Sequence, residues 1–195
     1  MAGRRAKTLT PHNLRRMLAH VARSQTPERD RVIVLLSVKA GLRAAEITGL
    51  TWSMVLDARG RVGDQIAVVD AIAKKGSGRF MPVHPELKAA LQALRTMEGP
   101  EAMPEDPIIR SARGGALKPN SLVNWFVAMF AELQMKGCSS HSGRRTFITK
   151  AARAVHRAGG SLRDVQMLAG HRSIETTQGY IDGDTDAQRR LIGLI

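Results

Sequence analysis

Apolar positions at the start of the chain follow a helical beat. Leu14, Met17, Leu18 and Val21 recur at i, i+3, i+4 and i+7, the stripe of an amphipathic helix, and Thr10-Pro11 before them offers a capping hydroxyl and a proline suited to the first helical position. Thr26-Pro27 opens a second segment in the same way. Its RVIVLLSVKA run has little polar interruption, so this helix is expected at the centre of the core, ending at Gly41. A short helix from about Ala44 to Thr48 follows. Between Trp52 and Val83 the texture changes to β-branched runs, MVL, QIAVVDAIA and FMPV, separated by the basic, turn-rich stretches ARGRVG and KKGSGR. These predict a small antiparallel sheet with a basic hairpin tip.

Further along, His84-Pro85 begins a helix running to about Thr96, and the proline-rich GPEAMPEDP reads as a linker. Pro119 to Leu133 is an apolar helix whose Trp125, Phe126, Met129 and Phe130 are read as core packing rather than base stacking. Ser142 to Arg157 reads as helical and stops before Gly159-Gly160. Ser161 and Asp164 then make a capping box for a helix ending near Gly170. A short helical turn carries Thr176, Thr177 and Tyr180, and the chain closes on RRLIGLI, an amphipathic segment too short to stand alone. The expected fold class is α+β, mostly helical, with one small antiparallel β-sheet.

A length of 195 residues suits one ordinary domain or at most two small ones. Thirty Lys and Arg against 17 Asp and Glu leave a net charge of +13, while 43% hydrophobic content is that of a globule, so a folded protein with a polyanionic partner is expected. The alternative is a basic surface that serves only solubility. Cys138 is the sole cysteine, which excludes an intrachain disulfide and any cysteine-based zinc finger and fits a reducing compartment. No run approaches the roughly 20 apolar residues of a membrane span, and the MAGRRAKTL start lacks the apolar stretch of a secretory signal. A soluble, cytoplasmic protein is expected.

Four segments carry chemistry. In GLRAAEITGL, Arg43 and Glu46 stand three apart, so on a helix the carboxylate can steady a guanidinium able to grip two phosphate oxygens. In IAKKGSGRFMPV, Lys74, Lys75 and Arg79 sit among glycines at the hairpin tip, placed either to reach a duplex or to form an ordinary solvated turn. In SSHSGRRTF, His141 and Arg144 are three apart at a helix start, with Arg145 about 100° away, which selects Arg144 as the partner of His141. In LAGHRSIETTQGYI, His171 and Arg172 follow a helix-ending glycine, and Tyr180, the single tyrosine, lies nine residues after the histidine. Two arginines, two histidines, a lysine and one phenol, with no metal-binding cluster, suit metal-free phosphoryl transfer. A phenol of ordinary pKa near 10 is about one part in a thousand ionised at pH 7, so such a nucleophile needs cationic neighbours.

The set closely resembles the tyrosine recombinases, or phage integrase family, through Arg43 with Glu46, Lys74 in the hairpin, His141-x-x-Arg144, His171 after Leu168-Ala169-Gly170, and Tyr180. The resemblance runs from about Leu9 to Ile181. It implies the family's catalytic-domain fold over residues 9–183, a basic extension at 1–8 and a tail at 184–195. It implies a site-specific recombinase that needs no cofactor or metal and works through a covalent 3′-phosphotyrosyl intermediate. Tyr180 would be the nucleophile, Arg43, Arg144, His141 and His171 would activate the phosphate, Lys74 (or Lys75) would be the general acid and Glu46 a support. Lys75, Arg79, Arg145 and Arg172 are expected to contact DNA. Implied partners are double-stranded DNA, at the nucleoid, further copies of the chain as a tetramer on it, and room for an accessory DNA-bending protein. Leu191, Ile192, Leu194 and Ile195 would dock on a neighbouring protomer. Two departures stand out. Gly143 and Gly179 replace larger residues of the family and are each expected to loosen the local helix by about 1 kcal/mol. Relatives also carry a DNA-clamping domain before the catalytic one. The chain is therefore expected to be a short single-domain member, which its starting methionine favours, or else a fragment. A DNA-binding regulator that keeps the fold without cutting is the alternative from another class. An RNA-binding role is disfavoured because no aromatic stacking motif stands on the predicted strands.

Overall fold

A computed structural model describes residues 6–99, 101–180 and 192–193. Helix α1, Pro11–Val21, opens on a capping box in which Thr10 and Asn13 serve each other's backbone amides, and it turns Met17 and Val21 inward. Helix α2, Pro27–Lys39, buries Val32 to Leu36 without exposure, as its unbroken apolar run requires. Thr26 does not cap it. That hydroxyl turns instead to Asp30, which Arg29 also grips. Gly41, at φ +63°, turns the chain out of α2, where a Cβ would lie 2.4 Å from the Phe147 ring. Helix α3, Ala44–Gly49, follows at once.

The sheet is smaller than the sequence predicts. Strands β1, Gln65–Val68, and β2, Arg79–Pro82, pair antiparallel with Val68 opposite Arg79 and Gln65 opposite Pro82. The MVL run is no strand: Trp52–Met54 forms a 3₁₀ turn, and Leu56 makes only an isolated bridge to Val62. Trp52 is wholly buried and its indole N–H is taken by Glu98, so that stretch is committed to the core.

Helices α4, Pro85–Glu98, and α5, Pro119–Glu132, pack on this body, and Phe126 is stacked on Phe130 in the core as the apolar pattern implies. Helix α6, Ser142–Ala154, continues as a 3₁₀ turn to Ala158 and stops at Gly159, φ +72°. Helix α7, Leu162–Ala169, carries the expected Ser161–Asp164 box and ends on Gly170, φ +60°. The five-residue helix α8, Ile174–Gln178, stops two residues before Tyr180, which occupies the turn that follows rather than the helix itself.

Two apolar clusters result. The large one gathers α1 to α5 and the sheet. The small one, Ile148, Ala152, Val155, Val165 and Ala169, joins α6 to α7, with Tyr180 packed against it. Helix α6 belongs to both, lying against α2 on one side and α7 on the other. Gly143 is what lets it approach: a Cβ there would fall 2.0 Å from Ser37 Oγ and 2.9 Å from the Ser37 carbonyl carbon. The expected loosening at Gly143 is therefore better read as a packing requirement. No helix among the described residues is long and apolar enough to cross a membrane.

Candidate active site

The seam between the two clusters holds the charged groups. Arg43 stands at the entry to α3, and its backbone N–H donates to Glu46 Oε2 while its Nη1 donates to Oε1, each at 2.8 Å. Glu46 is fully buried. Burial alone would raise its pKa, but the hydrogen bonds and charges of Arg79 and Arg43 outweigh that and hold the carboxyl below its ordinary value.

Arg144, in the first turn of α6, bridges the two halves of the body. Its Nη1 donates to the Gly41 carbonyl at 2.7 Å and its Nη2 to the Ala169 carbonyl at 2.5 Å. Burial first, and the charge of Arg43 second, bring its pKa down to about 10, so it stays cationic at neutral pH. Backbone carbonyls leave that charge uncompensated, and the nearest carboxylate is shared by two other arginines. An anion in front of Arg43 and Arg144 meets a preorganised positive field.

His171 follows the left-handed Gly170. Gln166 Nε2 holds its carbonyl at 2.9 Å, and its Nδ1 is 2.9 Å from the hydroxyl of the fully buried Thr177. Its ring stacks on Tyr180, with centroids 5.5 Å apart and planes at 24°. Burial and the charges of Arg144, Arg43 and Arg79 lower its pKa to about 4. At neutral pH the imidazole is therefore uncharged and able both to donate and to accept a hydrogen bond.

Arg43, His141, Arg144, Arg145, His171 and Tyr180 line one open cavity of about 630 Å³, together with Ser139 and the α8 residues Glu175 and Thr176. His141 is exposed immediately before α6, with its backbone N–H on Ser139 Oγ. The remaining predicted residues lie elsewhere. Lys74 and Lys75 are exposed on the loop between β1 and β2 and do not line this cavity. Arg172 is exposed along a neighbouring groove between the hairpin and α7, beside Phe80 and Met167.

Arg79 departs most from expectation. It is not on the hairpin surface: its side chain is 6% exposed, its Nη1 and Nη2 take both Glu46 oxygens at 3.1 and 3.2 Å, and its Nε donates to the Leu168 carbonyl at 2.8 Å. It begins β2 opposite the buried Val68, and that register turns it inward. Thr177, which sequence reading left as a plain helix residue, holds the histidine; its six-residue spacing from His171 is the only local signal. Among the described residues no cluster of His, Cys, Asp or Glu could hold a metal ion.

A model of the phage integrase family matches residues 7–186. The tyrosine recombinase XerC of Rhizobium meliloti (strain 1021) is 30% identical over 158 residues, 80% of this chain and 46% of its own length. That of Myxococcus xanthus is 31% identical over 166 residues, 78% of this chain and 49% of its own. The chain thus spans about half the length of the curated relatives it matches. Among solved structures, XerA recombinase aligns over 100% of this chain and 65% of its own with a TM-score of 0.71 at 21% identity. The Tn1549 transposon integrase in complex with a circular intermediate DNA aligns over 100% and 67%, with a TM-score of 0.73 at 18% identity. At these identities the structural likeness is one of fold.

Proposed function

This chain belongs to the phage integrase family and has the tyrosine recombinase catalytic fold, and on that premise we propose that it cuts and rejoins DNA strands in site-specific recombination through Tyr180. The observation that carries the proposal is the single cavity that gathers three arginines, two histidines and the one tyrosine of the chain, with His171 stacked on the phenol. The fit is chemical. A scissile phosphate in the cavity has Arg43 and Arg144 for its non-bridging oxygens, and the charge that builds on them in the transition state is met by donors already in place.

Tyr180 Oη attacks phosphorus and the bond to the 5′ oxygen breaks, leaving the 3′ phosphate on the tyrosine. The phenol proton passes to His171 or His141, and Lys74, the family's hairpin lysine by position, protonates the departing 5′ oxygen. A 5′ hydroxyl from another strand then attacks the phosphotyrosine and reverses both proton transfers, so one linkage is exchanged for another with no external energy source. Lys74 lies outside the cavity lining, and its role requires the hairpin loop to close on bound DNA. Exchange between two duplexes needs several active sites, so a homo-oligomer on double-stranded DNA, a tetramer in the family's manner, is part of the reading. Of the tail residues suited to docking between protomers, Leu191, Leu194 and Ile195 lie outside the described residues, and Ile192 is exposed.

A duplex nicked near the scissile phosphate tests this. The wild-type chain is expected to form a covalent protein–DNA band that Tyr180→Phe abolishes while duplex binding persists. Binding with no band from the wild type would instead make the chain a non-cleaving regulator.

A further inference from the structure

The Arg43–Glu46 pair does not stand alone. Glu46 is fully buried and offers both oxygens to Arg79, which lies 33 positions along the chain. A carboxylate facing Arg43 alone would hold that guanidinium to itself and cancel its charge. Shared with Arg79, it orients Arg43 and leaves the seam with an excess of positive charge. The third donor of Arg79 reaches Leu168 O, at the end of α7 from which Arg144 also takes Ala169 O and beyond which His171 follows. Gly170 makes the approach feasible, since a Cβ there would lie 2.9 Å from Arg79 Nη1. Upstream, the loop that carries Lys74 is fastened to the same strand end, with Gly78 N–H on Asp70 Oδ1 at 2.7 Å and Ser77 Oγ donating to Lys74 O at 2.9 Å.

We infer that Arg79 is a positioning residue for the strand-cutting reaction proposed above, on which this inference rests: through Glu46 it sets the guanidinium of Arg43, and through Leu168 it locks the lysine-bearing hairpin to the segment that carries His171. It is not a DNA contact. Its side chain is 6% exposed and its Nε, Nη1 and Nη2 each donate inward, to Leu168 O and the two Glu46 oxygens, so it is turned away from a duplex.

The test compares the full chain with Arg79→Met, Arg79→Lys and the neutral pair Glu46→Gln with Arg79→Met. Three quantities are measured: covalent complex formation on the nicked duplex, the salt dependence of duplex binding, and the titration of the His171 imidazole by NMR in the free protein. His171 is faced by Arg43 and Glu46 from α3, Arg79 from β2, Arg144 from α6 and the Tyr180 ring. Arg79→Met is expected to slow covalent complex formation by about 100-fold, leave the salt slope unchanged and move the His171 titration upward. Arg79→Lys, which keeps the charge but not the fork, is expected to retain the wild-type titration and recover about 10-fold of the lost rate. The neutral pair is expected to melt like the wild type yet remain slow, which separates positioning from folding. Wild-type cutting by Arg79→Met, or a salt slope reduced by about 0.9, the signature of one lost phosphate contact, overturns the inference. Should the wild type form no covalent complex, the strand-cutting reading is what fails, and an unmoved His171 titration in Arg79→Met then refutes the brace independently.

Discussion

The chemistry of the pocket turns on how single side chains are held. His171 is a neutral ring whose Nδ1 is anchored on the Thr177 hydroxyl at 2.9 Å, and that bond fixes how the ring stands against Tyr180. Thr177→Val keeps the shape and removes the anchor. It is expected to cost about 1 kcal/mol in stability but to slow covalent complex formation by about 10- to 100-fold, a disparity that denaturant melts and single-turnover cutting would expose together. The same ring sets a pH dependence. Its folded pKa of about 4 lies below the ordinary 6.5, so between those values the unfolded chain binds a proton that the folded chain refuses. Stability is therefore full above about pH 6.5 and falls as pH drops toward 4, by about 1 kcal/mol for a half-buried ring. The loss should be absent in His171→Gln. A phosphate in the pocket works in the opposite sense by raising the imidazole pKa, so DNA binding in this window should take up a proton and tighten as pH falls.

At the level of elements, α6 is the piece that joins the two clusters and so fixes Arg144 between Gly41 and Ala169. Its closeness to α2 depends on Gly143, and the contact that a side chain would meet includes backbone of Ser37, which cannot swing away. Gly143→Ala is expected to destabilise the protein by about 1 to 3 kcal/mol and to slow cutting by displacing Arg144. The buried Ser37 hydroxyl has no hydrogen-bond partner among the described residues, so Ser37→Ala alone should leave stability level or raised. Combined with Gly143→Ala it should recover part of the loss, because the nearest clashing atom is gone; equal melting of the single and double variants would contradict the packing account. The hairpin is governed differently. Lys75 stands at φ +59° without being glycine, a local strain of about 1 kcal/mol that Lys75→Gly should relieve.

The whole molecule was legible in the sequence wherever the signal was local. The stripe Leu14, Met17, Leu18 and Val21, the caps at Thr10 and Ser161, and the stops at Gly41, Gly159 and Gly170 each act within one or two turns, so periodicity and cap chemistry sufficed to place them. The MVL run misled because a β-branched texture says nothing about the buried Trp52–Glu98 bond that claims that stretch. Arg79 was misplaced for a similar reason: its partners Glu46 and Leu168 are 33 and 89 positions away, and a basic residue at the end of a glycine-rich turn looks solvated until its strand register is known. What the sequence conveys without any fold is the excess of charge, and it bears on the largest free-energy term of the proposed function. A net charge of +13 matters to duplex binding chiefly through counterions released from the phosphates, so affinity should fall by about 1000-fold or more between 50 and 200 mM salt if six or more phosphates are neutralised. Arg79, buried and turned inward, contributes to the rate rather than to that slope, so Tyr180→Phe and the Arg79 variants should share the wild-type salt dependence while differing from it in cutting. A flat titration would mean that the surface charge serves solubility and that the backbone of DNA is not what this face meets.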